Sequence, residues 1–237
     1  MNLKENLLKL DINIDINESM KERFELYYKK LIEVNSYMNL TRITDYEDVY
    51  IKHFLDSLSI LKFIKDDKYS LCDVGSGAGF PSIPLAITND KANFTIIDSL
   101  NKRINFINDL ISDLGLNNVN AYHFRAEDYA KDHKETFDYV TARAVARLNI
   151  LIELCLPLVK KGGYMISMKG DILPDEIEEA KKGIELLGGT IEDIIYFNLP
   201  IVDEKRALII IKKIKSTPKG YPREFKKIKD KPLWYLN

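Results

Sequence analysis

The chain has 237 residues, 46% of them apolar and 30% charged, so a sizeable core is available and global disorder is excluded. The length suits one large α/β domain with an N-terminal extension, and no apolar run approaches the roughly 18 residues a membrane span needs. A net charge of −1 argues against wholesale coating of a nucleic acid.

The first ten residues carry Lys4, Glu5 and Lys9 and predict no secretory signal. Asn17 to Asn35 predicts an amphipathic helix. Ser19 and Glu22 are spaced as a capping box, and Phe24, Tyr27, Tyr28, Leu31 and Val34 recur at helical intervals. A polar break at Ser36 to Asn39 leads to a second predicted helix, Asp45 to Phe63, with Val49, Phe54, Leu58 and Leu61 inward. Both stand outside the alternation that follows and form an N-terminal helical cap, residues 1–66.

From Tyr69 the pattern predicts strands at 70–74, 93–97, 118–122, 137–142 and 163–168. Helices fall between them at 79–88, 101–114, 126–131 and 145–160. A helix at 174–188 precedes two last strands, 190–198 and 206–214. The connection through Pro200 is too short for a helical crossover, so these strands should pair antiparallel. The expected fold is α/β: a doubly wound, mostly parallel, Rossmann-like seven-stranded sheet over 67–215 with an antiparallel last strand. Five parallel strands closed by a hairpin suit a methyltransferase that uses S-adenosylmethionine better than a dehydrogenase.

The string LCDVGSGAGFPSIPL, Leu71 to Leu85, is a strand, a glycine turn and a helix start. Gly75, Gly77 and Gly79 let a ligand approach bare backbone N–H groups. A dinucleotide fingerprint needs G-x-G-x-x-G, whereas here the third glycine arrives one residue early and Phe80 and Pro81 follow. Asp73, just before the turn, could face a cationic or amino group, which points to S-adenosylmethionine over NAD. Asp98 closes the next strand, 19 residues beyond Gly79, where a carboxylate can accept both hydroxyls of an adenosine ribose or cap a helix. Cys72 and Cys155 lie in apolar surroundings and suggest core thiols of a cytoplasmic protein. Three histidines without close Cys/His spacing predict no metal site.

From Lys212 to Lys231 nine basic residues stand against Glu224 and Asp230, with Tyr221, Phe225 and Trp234 interleaved or adjacent. Such a basic C-terminal tail, residues 216–237, either tracks phosphates through residues such as Lys226, Lys227 and Lys229 or is a solvated end.

Several strings in order carry a resemblance. They are Asn39-Leu40-Thr41, Lys52 to Leu58 (KHFLDSL), the DVGSGAGFPSIPLAI turn, Arg125-Ala126-Glu127, Thr141 to Ala146 (TARAVA) and Met168-Lys169-Gly170. Together, from about Ser19 to Lys213, the chain resembles the bacterial small-subunit (16S) ribosomal RNA guanine-N7 methyltransferases, also called glucose-inhibited division protein B. Ser82 stands where glycine is expected, and no tryptophan precedes the NLT string. The resemblance implies S-adenosylmethionine lying across the carboxyl ends of strands one to four. Gly75, Gly77 and Phe80 would frame its methionine and ribose, and Asp98 the ribose hydroxyls. Ala126 and Glu127 would read the adenine, and Arg143 would face cofactor and incoming base. It also implies a 16S ribosomal RNA or small-subunit substrate; with no apolar span and no sign of an oligomer interface in the sequence, no membrane partner and a monomer are expected.

Guanine N7 keeps an in-plane lone pair, so it attacks a sulfonium methyl without first losing a proton. Catalysis is then positioning, with Arg143 and Lys169 as the candidate positioning residues and none as acid or base. Positive charge moves towards the purine. Arg125, Arg143 and Lys169 are therefore expected to grip phosphates or guanine O6; Arg206 either does the same or is a strand-edge charge, and His53 either caps the cleft or is a structural histidine. A small-molecule methyltransferase and a non-catalytic cofactor-binding RNA module are the competing readings.

Overall fold

The computed structural model describes residues 2–171 and 174–233. Its strands are β1 (Ser70–Val74), β2 (Asn93–Asp98), β3 (Val119–His123), β4 (Phe137–Arg143), β5 (Val159–Lys169), β6 (Gly189–Leu199) and β7 (Glu204–Lys213). They form one seven-stranded sheet in the order β3-β2-β1-β4-β5-β7-β6. β1 to β5 run parallel, and β7 pairs antiparallel with both β5 and β6. Strand order reverses between β1 and β4, which opens a crevice at their carboxyl ends.

Alternate residues of the strands feed two apolar clusters. Leu71, Phe94 and Ile96 pack with the N-terminal helices and with helices Ser82–Thr88 and Asn101–Asp113. Cys72, Val140 and Met165 pack on the other face with Ala126–Asp132, Leu148–Cys155 and Pro174–Leu186. Burial on both faces is why these strands are near-continuously apolar. Cys72 and Cys155 are buried and unpaired. No helix among the described residues is long and apolar enough to cross a membrane.

The local differences from expectation have identifiable causes. The first long helix is Glu18–Met38, capped by Asn17, whose side chain accepts from Met20 N–H at 2.9 Å. Asn17 holds the extended backbone a cap requires, while Ser19 already lies inside the helix. A helix at Leu3–Leu8 was not expected, being too short for a periodic signal. Its Leu3 and Leu7 enter the core. The expected helix at 145–160 covers only Leu148–Cys155, because Pro157 sits in a tight turn, Leu156–Leu158, that launches β5. β5 therefore begins earlier than expected. Its pairing with β4 slips after Phe137↔Val159, where a Cβ on Gly163 would lie 2.5 Å from the Asp138 carbonyl oxygen.

The second cap helix is composite. Tyr46–Val49 is α-helical, Tyr50–Leu55 widens into a π-turn, and Asp56–Leu58 resumes the α form. The widened turn carries His53 and Phe54, both buried, next to buried Asp56.

The basic tail is anchored. β7 runs antiparallel, so its end lies at the edge opposite the crevice. There the buried Lys213 donates to the carbonyls of Leu156 (3.0 Å) and Leu187 (2.7 Å) and to Thr217. Burial lowers its ammonium pKa to about 8. Arg223 grips the fully buried Glu153 at 2.6 and 2.8 Å, and Ile228 and Leu233 enter the second cluster around a short helix, Phe225–Asp230. Trp234 lies outside the described residues.

Candidate active site

β1 ends at Val74 and breaks at once into the glycine turn. Gly77 has φ +65°, and a Cβ there would meet nothing within 4 Å, so the space beside it is open. Gly79 has φ +104°, and a Cβ would lie 2.7 Å from Ile83 and 3.0 Å from the Tyr27 hydroxyl. Gly79 is therefore a packing glycine, while Gly77 borders a vacant approach. Gly75 faces Val145, whose Cγ2 would sit 2.7 Å from a Cβ on Gly75. The Tyr27 hydroxyl donates to the Ala78 carbonyl at 2.6 Å, pinning the turn to the N-terminal cap.

Asp73 is fully buried behind this turn. Its Oδ2 accepts from Ser82 N–H at 3.2 Å, while its Oδ1 and the Ser76 and Ser82 hydroxyls have no hydrogen-bond partner. Burial pushes its carboxyl up to about 7, against the lowering effect of Ser82. A buried carboxylate with an unsatisfied oxygen beside a turn is costly unless a donor completes it. Asp98 is also buried. Its Oδ2 accepts from Gly77 N–H at 3.2 Å and from Arg103 at 3.3 Å, and its Oδ1 accepts from Leu100 N–H at 2.9 Å. It thus joins the turn to the end of β2. At the end of β3, Ala126 and Glu127 open helix Ala126–Asp132. Glu127 is buried, and its carboxylate makes no hydrogen bond among the described residues. Open space at Gly77, an orphaned Asp73 oxygen, Asp98 at the turn and a free Glu127 carboxylate fit an adenosyl group bearing an ammonium.

Arg143 ends β4 and points across to the cap. Its Nη1 donates to Asp56 Oδ2 at 3.0 Å and to the Lys52 carbonyl at 3.3 Å, and its Nη2 donates to His53 Nδ1 at 3.2 Å. Nε2–H of His53 then donates to the Thr41 hydroxyl at 2.8 Å, a tautomer assigned from this network. Burial, reinforced by Arg143, lowers the His53 pKa to about 3, so the ring is neutral. Asp56 Oδ1 accepts from Arg206 Nε at 3.0 Å, and Arg206 also binds Glu204 at 2.9 Å.

Three of the expected site residues are engaged with neighbours inside the protein. Phe80 is only 4% exposed, stacked between His53 (4.4 Å) and Tyr27 (5.2 Å). Lys169 is not a free point charge. Its ammonium binds Glu176 Oε1 at 2.7 Å and the Ala146 carbonyl at 2.8 Å. Arg206 lies on an internal strand and is committed to Asp56 and Glu204. Sequence reasoning missed Asp56, although it sits inside the KHFLDSL string. It missed Glu176 too, where no local signal marks a partner for Lys169.

The crevice between these groups has a volume of about 360 Å³ and is lined by Lys52, His53, Asp56, Arg143, Lys169 and Arg206 among others. It opens at the carboxyl ends of β4 and β5; Ala144 lines it, and the next residue, Val145, packs on Gly75 of the glycine turn. Arg125 is exposed and without an ion pair among the described residues. Lys226, Lys227 and Lys229 are exposed on the anchored tail, which leaves the sheet at the opposite edge.

Residues 20–205 match the family described as rRNA small subunit methyltransferase G. The chain is 53% identical over 216 residues to ribosomal RNA small subunit methyltransferase G of Lachnoclostridium phytofermentans, covering 90% of this chain and 89% of that one. It is 49% identical to the protein of the same name from Lactobacillus acidophilus, covering 98% of this chain and 100% of the other. Among solved structures, M. jannaschii TYW2 in complex with AdoMet aligns with a TM-score of 0.54 at 18% identity, over 65% of this chain and 73% of that one. NSun6 from Pyrococcus horikoshii with SFG aligns with a TM-score of 0.55 at 14% identity, over 69% and 52%. These two share the fold of the sheet and its helices. On the extent and identity of the sequence matches, the chain belongs to the rRNA small subunit methyltransferase G family.

Proposed function

We propose that this chain transfers a methyl group from S-adenosylmethionine to N7 of a guanine in 16S ribosomal RNA of the small subunit. The carrying observation is the adjacency of the adenosyl-fitting turn to a crevice walled by cations that are already paired. S-adenosylmethionine supplies an electrophilic methyl on a sulfonium. The chain's own residues bind and orient. The open side of Gly77 admits the ligand backbone, Asp98 receives the ribose hydroxyls, Asp73 completes its hydrogen bonding with the ammonium, and Glu127 with the Ala126 N–H reads the adenine.

No side chain around the crevice is free to take a proton. His53 is neutral with both its nitrogens engaged, and in this reading Asp73 and Glu127 are committed to the cofactor's ammonium and adenine. That suits a nucleophile already carrying its lone pair. Arg143, braced by Asp56 and His53, orients cofactor and base through its fixed fork. Arg125 supplies an unpaired charge for phosphate, and Lys226, Lys227 and Lys229 extend the RNA footprint around the far edge. The reading takes the chain as a cytoplasmic monomer.

The test is incubation with methyl-labelled S-adenosylmethionine and either naked 16S RNA or small subunits, followed by chain cleavage specific for N7-methylguanine. One labelled guanine is expected. Label at another atom, or none despite measured cofactor binding, sinks the proposal.

A further inference from the structure

The loop from Ala144 to Arg147 joins β4 to helix Leu148–Cys155 and separates the glycine turn from the crevice. Ala144 adopts φ +56°, a left-handed conformation that is unfavourable for alanine, so surrounding groups must hold the loop in place. Val145 projects from it onto Gly75 and stays 40% exposed. Ala144 lines the crevice while Val145 packs on Gly75, so this strained loop lies between the two halves of the site.

Two groups from outside the loop hold it. Lys169, the last residue of β5, donates to the Ala146 carbonyl at 2.8 Å and to Glu176 Oε1 at 2.7 Å. The same Glu176 oxygen accepts from Leu148 N–H at 2.7 Å. The anchors thus grip the backbone on both sides of Arg147. Helix Leu148–Cys155 has no side-chain cap of its own, because Arg147 stands at its N-cap position. Glu176 supplies that cap from 28 residues downstream, with the helix dipole favouring its charge. Both side chains of the pair are only 15% exposed, so neither is a solvated surface charge. Glu179 adds support by accepting from Arg147 at 3.0 Å and Asn149 at 3.1 Å.

We propose that Glu176 is a positioning residue of the methyl-transfer site, acting through Lys169 and Leu148 to hold Val145 against Gly75. The proposal rests on the cofactor-site reading given above. It assigns Lys169 a role inside the protein, with Glu176 as its necessary partner.

Glu176→Ala and Glu176→Gln in the full chain test it, because glutamine keeps an oxygen that accepts from Leu148 N–H and Lys169. Three quantities are measured: calorimetric affinity for S-adenosylmethionine, hydrogen exchange of the 144–150 segment, and kcat and KM with small subunits. In Glu176→Ala, exchange at Leu148 should rise selectively, and cofactor affinity and kcat should each fall about tenfold, the scale of one charge-assisted hydrogen bond. KM for the RNA substrate should stay within about twofold, and Glu176→Gln, which keeps the accepting oxygen but not the charge, should recover part of both losses. Unchanged affinity and kcat in Glu176→Ala overturn the proposal. So does a glutamine variant as impaired as alanine, or exchange that rises evenly across the molecule. If Glu176→Ala does not fold, Val145→Gly removes the side chain that packs on Gly75 while leaving the latch intact. It should weaken cofactor binding similarly, and unaltered binding overturns the proposal. Binding and exchange need no RNA, so failure of the parent chain to methylate ribosomal RNA would refute the substrate reading separately.

Discussion

Asp56 in the N-terminal cap accepts from Arg143 at the end of β4 at 3.0 Å, although 87 residues separate them in sequence. Its other oxygen accepts from Arg206 at the start of β7, also at 3.0 Å. One buried carboxylate thus fastens the cap to two strands of the sheet. Removing it leaves the Arg143 guanidinium without a carboxylate, whereas Arg206 keeps Glu204, and the loss of one partner in a buried pair costs about 3–5 kcal/mol. Asp56→Ala should therefore lower the unfolding free energy by that order. It should abolish methyl transfer even at temperatures where the variant is folded, because Arg143 loses its brace. Denaturant unfolding paired with a transfer assay checks this, and a variant with parent-like activity would show that the Arg143 orientation is set elsewhere.

Gly77 and Gly79 separate binding from stability. Gly77→Val places a branched side chain in the open approach at φ +65°, so S-adenosylmethionine affinity should fall at least tenfold, about 1.4 kcal/mol, with the fold retained. Gly79→Ala, crowded by Ile83 and Tyr27, should lower the melting temperature more than it lowers affinity, whereas the left-handed backbone at Gly77 adds some strain to the Val variant as well. Calorimetry and thermal melts on the pair decide it. Full affinity in Gly77→Val would place the cofactor elsewhere.

Asp73 should make cofactor binding pH-dependent. Its carboxyl is raised from 3.8 to about 7 by burial, so the folded protein holds a proton there that the unfolded chain has lost. More protons bound in the native state mean that this group's stability contribution falls as pH rises between about 4 and 7. An ammonium ligand favours the ionised form, so binding should release a proton and strengthen as pH rises through about 7. Titration calorimetry in buffers of different ionisation enthalpy measures the release, and Asp73→Asn should abolish it. His53, lowered to about 3 and neutral throughout, should add no limb to single-turnover rates at saturating cofactor between about pH 6 and 8. A limb that Arg143→Lys removes would reinstate proton transfer in the mechanism.

The lysines of the anchored tail should contribute affinity without choosing the base. Reversing Lys226, Lys227 and Lys229 to Glu should weaken RNA binding and flatten its salt dependence, by up to about 0.7–0.9 in log–log slope for each phosphate that is no longer neutralised. Methylation rescued by high RNA concentration should still fall on the same guanine. An unchanged slope would show that these charges only solvate the far edge.

Much of this was legible in the chain itself. Short, near-continuous apolar runs reaching Asp73 and Asp98 marked β1 and β2, and the early third glycine marked the turn, because backbone geometry and glycine chemistry are local. The antiparallel end of the sheet followed from the short link through Pro200. Charge pairing was not legible in the same way. Lys169 finds Glu176, Arg143 and Arg206 share Asp56, and Arg223 finds Glu153, each through a crossing of elements that sequence spacing does not encode. Phe80 likewise shows an aromatic beside a glycine turn in sequence, yet only packing against His53 and Tyr27 decides that its ring faces inward. Local patterns thus determined where a cofactor turn could form. Desolvation in the assembled core, which demands a partner for every buried charge, decided which side chains stay free to meet a ligand.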